Sequence, residues 1–192
     1  MSRALKTVLM FGFLFLLPLV RPAAAQLVNE NLLVEMPPGY KVGFRDKNND
    51  RLMSEMVPAN QTVDDWTEMV TVQIYYGLKA TPEQFEARVE KGWLAACPGA
   101  TANAVASAVE NGYPMLLWLL NCPRNPDTAK PEMTWFKAIQ GNDSFYVVQK
   151  AFKFAPSKDQ VAHWMSYLKA VAVCDSRLAD RSCPPQATKD QP

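Results

Sequence analysis

The chain reads as an α+β domain, a mostly antiparallel sheet of about six to seven strands packed with two main helices. Three observations predict it. Runs of alternating apolar and polar residues recur along the chain. Tight turns join them: Asn111-Gly112 stands between Val105–Val109 and Met115–Leu120, and Gly141-Asn142-Asp143 between Met133–Ile139 and Phe145–Phe154. Two other segments open with the reciprocal Ser/Thr…Gln capping pattern of a helix start, and each then places apolar residues at helical spacing.

In chain order, a polar start at Asn29 leads to a turn at Pro37-Pro38-Gly39. Tyr40, Val42 and Phe44 then alternate with Lys41, Gly43 and Arg45, as strand residues do. The cluster Asp46–Asp50 is a turn, Leu52–Val57 the returning arm, and Pro58-Ala59-Asn60 its break. Val70, Val72, Ile74 and Tyr76 mark a third strand that Gly77 ends. Thr81 caps the first helix, with Pro82 preorganised at its first position and Gln84 closing the box. Phe85, Val89 and Trp93 share one face of that helix, and Cys97-Pro98-Gly99 stops it. Pro114 lacks an amide hydrogen and belongs at the edge or beginning of its strand. Ser157 and Gln160 box the second helix, Asp159 suits its positive end, and Val161, Trp164, Met165, Leu168, Val171 and Ala172 form one stripe. The expected order is three strands, a helix, four strands and a helix, with no repeat or linker.

The first 25 residues have a different logic. Arg3 and Lys6 precede an apolar run from Val8 to Val20, and Ala23 and Ala25 stand at the spacing a signal peptidase requires. The run falls short of the about 20 residues that cross a bilayer, and Pro18 disfavours a continuing helix. We therefore expect residues 1–25 to be a cleaved secretory signal peptide, 26–183 a single globular domain, and 184–192 a disordered tail. No Cys lies near the cleavage site to take a lipid. No later segment is apolar enough to span a membrane.

Export sets the sulfur chemistry. Cys97, Cys122, Cys174 and Cys183 all lie in the exported part, and an even count in an oxidising compartment predicts two disulfides. Three pairings are possible. Cys97 with Cys122 and Cys174 with Cys183 are preferred, because each closes a short loop beside a predicted element. Zinc would want close Cys pairs or several His, and the chain has a single His.

A net charge of +1 provides no broad electrostatic footprint for nucleic acid or an anionic membrane. With 8 Gly in all and no glycine-rich phosphate loop, nucleotide binding is disfavoured and no cofactor is implied. The single His163 falls on the polar side of its helix, with neither nucleophile nor orienting carboxylate assignable. Asp46, Asn48 and Asp50 alternate like the start of a calcium loop. Arg51 stands where that loop needs Gly, and Val57 where it needs Glu, so the segment reads as a charged hairpin turn. No metal site is expected.

Two candidate surfaces remain. Asp64, Asp65 and Glu68 gather around Trp66, and two carboxylates beside an aromatic ring can perform acid–base work on a glycan. The plainer reading is a turn capped by Thr62 or Asp64, with Trp66 packing under the sheet. Tyr75, Tyr76, Trp118, Trp135 and Phe136 lie on predicted strands, where alternate residues face opposite sides. They form a partner-binding surface unless helices cover both faces.

The order of elements over most of Val42–Val173 resembles the PsbP-like fold, an α/β/α sandwich. That fold is shared by an extrinsic subunit of photosystem II, a nuclear import factor and small bacterial envelope lipoproteins. Separately, Val57–Gln73 looks like a segment typical of small exported proteobacterial proteins of unknown function. Neither resemblance brings a known active site with it, and fold alone does not assign function. The expected role is a non-enzymatic periplasmic or secreted protein that binds a protein or small envelope ligand. The alternatives are a cell-wall or glycan hydrolase using Asp65 and Glu68, and an immunity-type inhibitor of an exported toxin.

Overall fold

The computed structural model describes residues 27–184. The expected signal peptide and the tail beyond Pro184 lie outside the described residues. The elements are β1 (Glu30–Leu33), β2 (Tyr40–Lys47), β3 (Arg51–Pro58), β4 (Glu68–Tyr76), α1 (Pro82–Ala96), β5 (Thr101–Glu110), β6 (Tyr113–Cys122), β7 (Glu132–Gln140), β8 (Ser144–Phe152), α2 (Lys158–Ala170) and β9 (Ala172–Asp175), followed by a single 3₁₀ turn at Ala179–Arg181. Seven strands form one antiparallel sheet in the order β2-β3-β4-β8-β7-β6-β5, and β1 pairs with β9 in a separate ribbon. The α+β expectation holds.

The turns follow their local chemistry. Asn111 and Gly112 take φ values of 48° and 76°, the left-handed pair that a tight β5–β6 hairpin needs. In the β2–β3 turn the Asn48 side-chain oxygen accepts from the amides of Asp50 and Arg51 at 2.9 and 2.8 Å. That oxygen serves the turn, as the charged-hairpin reading requires. Both capping boxes are complete: Gln84 donates its amide to Thr81 Oγ1, Gln160 its amide to Ser157 Oγ, and each Gln side chain accepts from the cap amide.

Strand alternation divides the core in two. Residues such as Val70, Val72, Leu117, Trp135, Val148 and Phe152 face α2, whose Trp164 and Leu168 complete that side. Their neighbours Leu116, Trp118, Leu120, Phe136, Phe145 and Val147 face α1, met by Phe85, Val89 and Trp93. At about 25 cal/mol per Å² of apolar surface, these two buried layers are the main favourable term in folding. The disulfides are Cys97–Cys122 and Cys174–Cys183, the preferred pairing. The first ties the end of α1 to the end of β6; the second ties β9 to the segment after the 3₁₀ turn.

Two expectations are corrected. Val171 and Ala172 do not continue the second helix. It ends at Ala170, Val171 is its C-cap, and Ala172 begins β9. Apolar residues at helical spacing continue to read as helix even where the chain has turned back, because Val171 and Val173 stay buried in an extended conformation. The start of the chain is also more than a polar lead. Glu30–Leu33 is a strand because β9 lies beside it, a pairing about 140 residues distant that no local pattern encodes.

Candidate functional site

The proposed acidic site disperses. Asp64 and Asp65 are exposed on the loop between β3 and β4, where the Asp65 amide donates to Thr62 Oγ1 at 3.1 Å. Gln61 braces the same loop through two hydrogen bonds with Thr67, at 2.9 and 2.7 Å. Trp66 is half-buried, not under the sheet, and the Lys153 ammonium lies 3.8 Å from its ring centre. Glu68 begins β4 and turns to the face covered by α2. There it accepts from Lys150 Nζ at 2.8 Å and from the Tyr40 hydroxyl at 3.0 Å. A carboxylate committed to a buried ammonium and a phenol is poorly placed to act as a catalytic partner for Asp65.

Of the sheet aromatics, Trp118, Trp135 and Phe136 are core, Tyr75 is half-buried, and Tyr76 at the end of β4 is exposed. Trp118 is fully buried and stacks on Phe136 at 4.9 Å with an 8° interplanar angle, under α1. Trp135 is buried on the opposite face, edge-on to Phe152 at 5.8 Å. Tyr75 packs on Phe85 of α1 at 5.7 Å, with its hydroxyl donating to Gln73. Helices cover both faces of the central strands, so these rings offer no surface there.

Glu68 leads to the chemistry that sequence reasoning missed. Lys150 is 0% exposed, and its ammonium donates to Glu68 and to the Tyr40 hydroxyl, each at 2.8 Å. Trp164, Phe152 and Tyr40 present their rings to it at 3.7, 4.4 and 5.1 Å. Burial pushes its pKa down to about 8, against the pull of the Glu68 hydrogen bond and charge. The Tyr40 hydroxyl is driven well above its usual range, first by burial and then by the Glu68 charge. Strand parity held the signal. Lys150 lies in register with Tyr146, Val148 and Phe152, three inward-facing residues, so a lysine there had to be buried. The same parity buries Lys137, between Trp135 and Ile139. Its ammonium pairs with Glu110 and donates to the carbonyls of Leu168 and Val171 at the end of α2.

Beside this cluster the α2-side layer stops short. The floor of a groove is formed by Leu52, Ser54, Met56, Val72 and Ile74, and the extended segment after β1 supplies one wall with Leu32, Val34 and Met36. Val42 and Arg45 of edge strand β2 stand across from it, with Glu35 at the rim, around a cavity of about 260 Å³. Val42 pairs with Met56 and so points to the core side of the sheet, yet it is 44% exposed, and Met36 is 51% exposed. Arg45 has no ion-pair partner among the described residues, whereas neighbouring Asp46 is engaged by Arg51. A second hollow, of about 330 Å³, lies beside the Cys97–Cys122 disulfide, lined by Trp93, Ala96, Pro126 and Asp127 together with Asn125, whose side chain donates to Glu132 at 2.8 Å. Among the described residues no cluster of His, Cys, Asp and Glu is suited to a metal ion, and no helix is long and apolar enough to cross a membrane.

No protein-family model matches the chain, and no curated protein matches it. Solved structures similar to it include the Ran-binding protein Mog1p of Saccharomyces cerevisiae, at 14% identity, with 73% of this chain and 84% of that chain covered and a TM-score of 0.42. A point mutant of Mog1 gives 14%, 73%, 85% and 0.42. The solution structure of cyanobacterial PsbP (CyanoP) from Synechocystis sp. PCC 6803 gives 11%, with 80% of this chain and 95% of that chain covered and a TM-score of 0.40. The expected PsbP-like resemblance thus meets a neighbour of that kind, at a similarity too low to carry an argument.

Proposed function

We propose that this protein is a non-enzymatic binding protein of an oxidising envelope compartment, the periplasm, released there from residues 1–25. Two disulfides support the compartment, since such cross-links persist where thiols are not kept reduced. Its ligand site is the groove between the 32–36 segment and strands β2–β4, and its ligand is a small apolar molecule. Val42 carries this reading. An inward-facing valine left 44% exposed is core surface without its cover, and an apolar ligand would supply the missing layer. Arg45 at the edge offers the polar handle that orients such a ligand.

The test is a titration of the disulfide-intact protein with the fluorophore 8-anilino-1-naphthalenesulfonate, whose emission rises in apolar sites. Saturable binding is expected for the wild type, with loss in Val42→Asp and weakening in Arg45→Ala. Val42 and Arg45 are exposed, so both variants should keep the fold, which circular dichroism checks. Absent binding, or binding indifferent to Val42→Asp, sinks the reading. The export half is tested apart from this: the mature N-terminus should read Gln-Leu-Val-Asn, in a periplasmic fraction.

A further inference from the structure

The two edges of the seven-stranded sheet are built differently. β2 carries Lys41, Arg45, Asp46 and Lys47, the charge dressing by which natural edge strands repel a new strand. β5, at the other edge, has ten residues with no charge before Glu110, no proline, and, apart from Asn103 and Glu110, only small or β-branched side chains. Most of it is exposed, with Val105 at 49% and Val109 at 69%. Among the described residues nothing pairs with its outer side. Each edge strand carries one bulge against its inner neighbour, at Gly43 in β2 and at Val105 in β5, so the bulge does not distinguish the two edges.

The strand is held as a rigid template at its far end. Glu110 is paired with buried Lys137, the Asn111 side chain donates to the Val173 carbonyl at 2.7 Å, and Arg181 donates to the Gly112 carbonyl at 3.2 Å. A preorganised edge with unpaired amides and carbonyls binds another strand at little cost in ordering.

We propose that β5 pairs antiparallel with β5 of a second copy of this chain, through a two-fold axis at Ser107. The sequence selects that occupant. Val105-Ala106-Ser107-Ala108-Val109 is a palindrome, so a two-fold axis at Ser107 sets each Val105 against Val109 of the other copy and each Ala106 against Ala108. Cross-strand valine pairs stabilise such a ladder. Glu110 meets Ala104 in this register, and no like charges oppose each other. The pairing joins two sheets into one continuous sheet and closes the β5 edge of each copy. It is independent of the groove, which lies at the opposite edge.

Sedimentation velocity of the disulfide-intact mature protein over a concentration series tests it. The wild type should move to twice the monomer mass as concentration rises. Val105→Lys with Val109→Lys sets lysine against lysine at two symmetric positions, and should weaken the dimer roughly tenfold or more. Val105→Glu with Val109→Lys sets opposite charges together in the same register, and should restore it. Both side chains are exposed, and unchanged circular dichroism will show that the fold is intact. A wild type that stays monomeric to its solubility limit overturns the proposal. So does a dimer that ignores the double-lysine variant, and failure of the charge-paired variant to re-form the dimer overturns the register.

Discussion

The Lys150 ammonium lies 3.7 Å from the centre of the Trp164 ring, so the charge that β8 buries is also what α2 packs against. Removing Glu68 leaves that charge in the core with only a phenol and aromatic faces. We expect Glu68→Leu to cost about 3 kcal/mol. Lys150→Met should cost less, about 1–2 kcal/mol, because methionine fills the ring-lined slot and the remaining carboxylate is partly solvated. Urea denaturation of the two variants checks the order, and equal costs would contradict it.

The same lysine gives stability a pH dependence of definite sign. In the folded protein it releases its proton near pH 8, and in the unfolded chain near 10.5. Between those values the unfolded chain holds more protons, so stability rises with pH, by about 1 kcal/mol from about pH 7 to about pH 9. The tyrosines then act in the opposite direction. Tyr167 is raised by burial to about 12 and Tyr40 is raised beyond that, so above their ordinary value of 10.0 the unfolded chain loses protons that the folded one keeps. Stability should pass through a maximum on the alkaline side of neutrality. Lys150→Met should abolish the rise and keep the fall.

Glu30 ties the β1–β9 ribbon to the main sheet. Its carboxylate accepts from the amides of Asn142, Asp143 and Ser144 at 2.6, 3.0 and 3.2 Å and from the Tyr146 hydroxyl at 3.0 Å. A side chain at Gly141 would collide with that carboxylate. Glu30→Ala strands several donors and should cost about 2–3 kcal/mol. Hydrogen exchange should report the loss selectively at residues 142–144, and uniform loss across the sheet would argue against this local role.

The disulfides should contribute unequally. The Cys97–Cys122 bridge closes a separation of 25 residues and the Cys174–Cys183 bridge one of 9. Loop entropy assigns them about 3.5 and about 2.5 kcal/mol. Paired Cys→Ser variants, compared by denaturation, should follow that order. A thiol titration of denatured, unreduced protein should find none.

Local signals were sufficient for most of the elements. The capping boxes at Thr81 and Ser157, the Asn111-Gly112 turn and period-two alternation are short-range properties, and residues a few positions apart determine them. Glu68 was visible as a notable carboxylate for the wrong reason. Its neighbours along the chain suggested an acidic cluster, but its partners Lys150 and Tyr40 lie 82 and 28 residues away. Lys150 itself is legible from strand parity, since the inward-facing series Tyr146, Val148 and Phe152 runs through it.

What the chain decided alone was the class of fold, its turns and helix starts, and four cysteines able to form two bridges. What the tertiary structure decided was cover. Whether Trp118 and Trp135 are surface or core depends on where α1 and α2 come to rest, and whether Val42 is buried depends on how far the α2 layer reaches. Pairing of β1 with β9, the caging of Lys150 and the open groove at β2 all arise from contacts between distant segments. Such contacts form because the two-faced sheet must be covered on both sides, and hydrophobic burial is indifferent to distance along the chain.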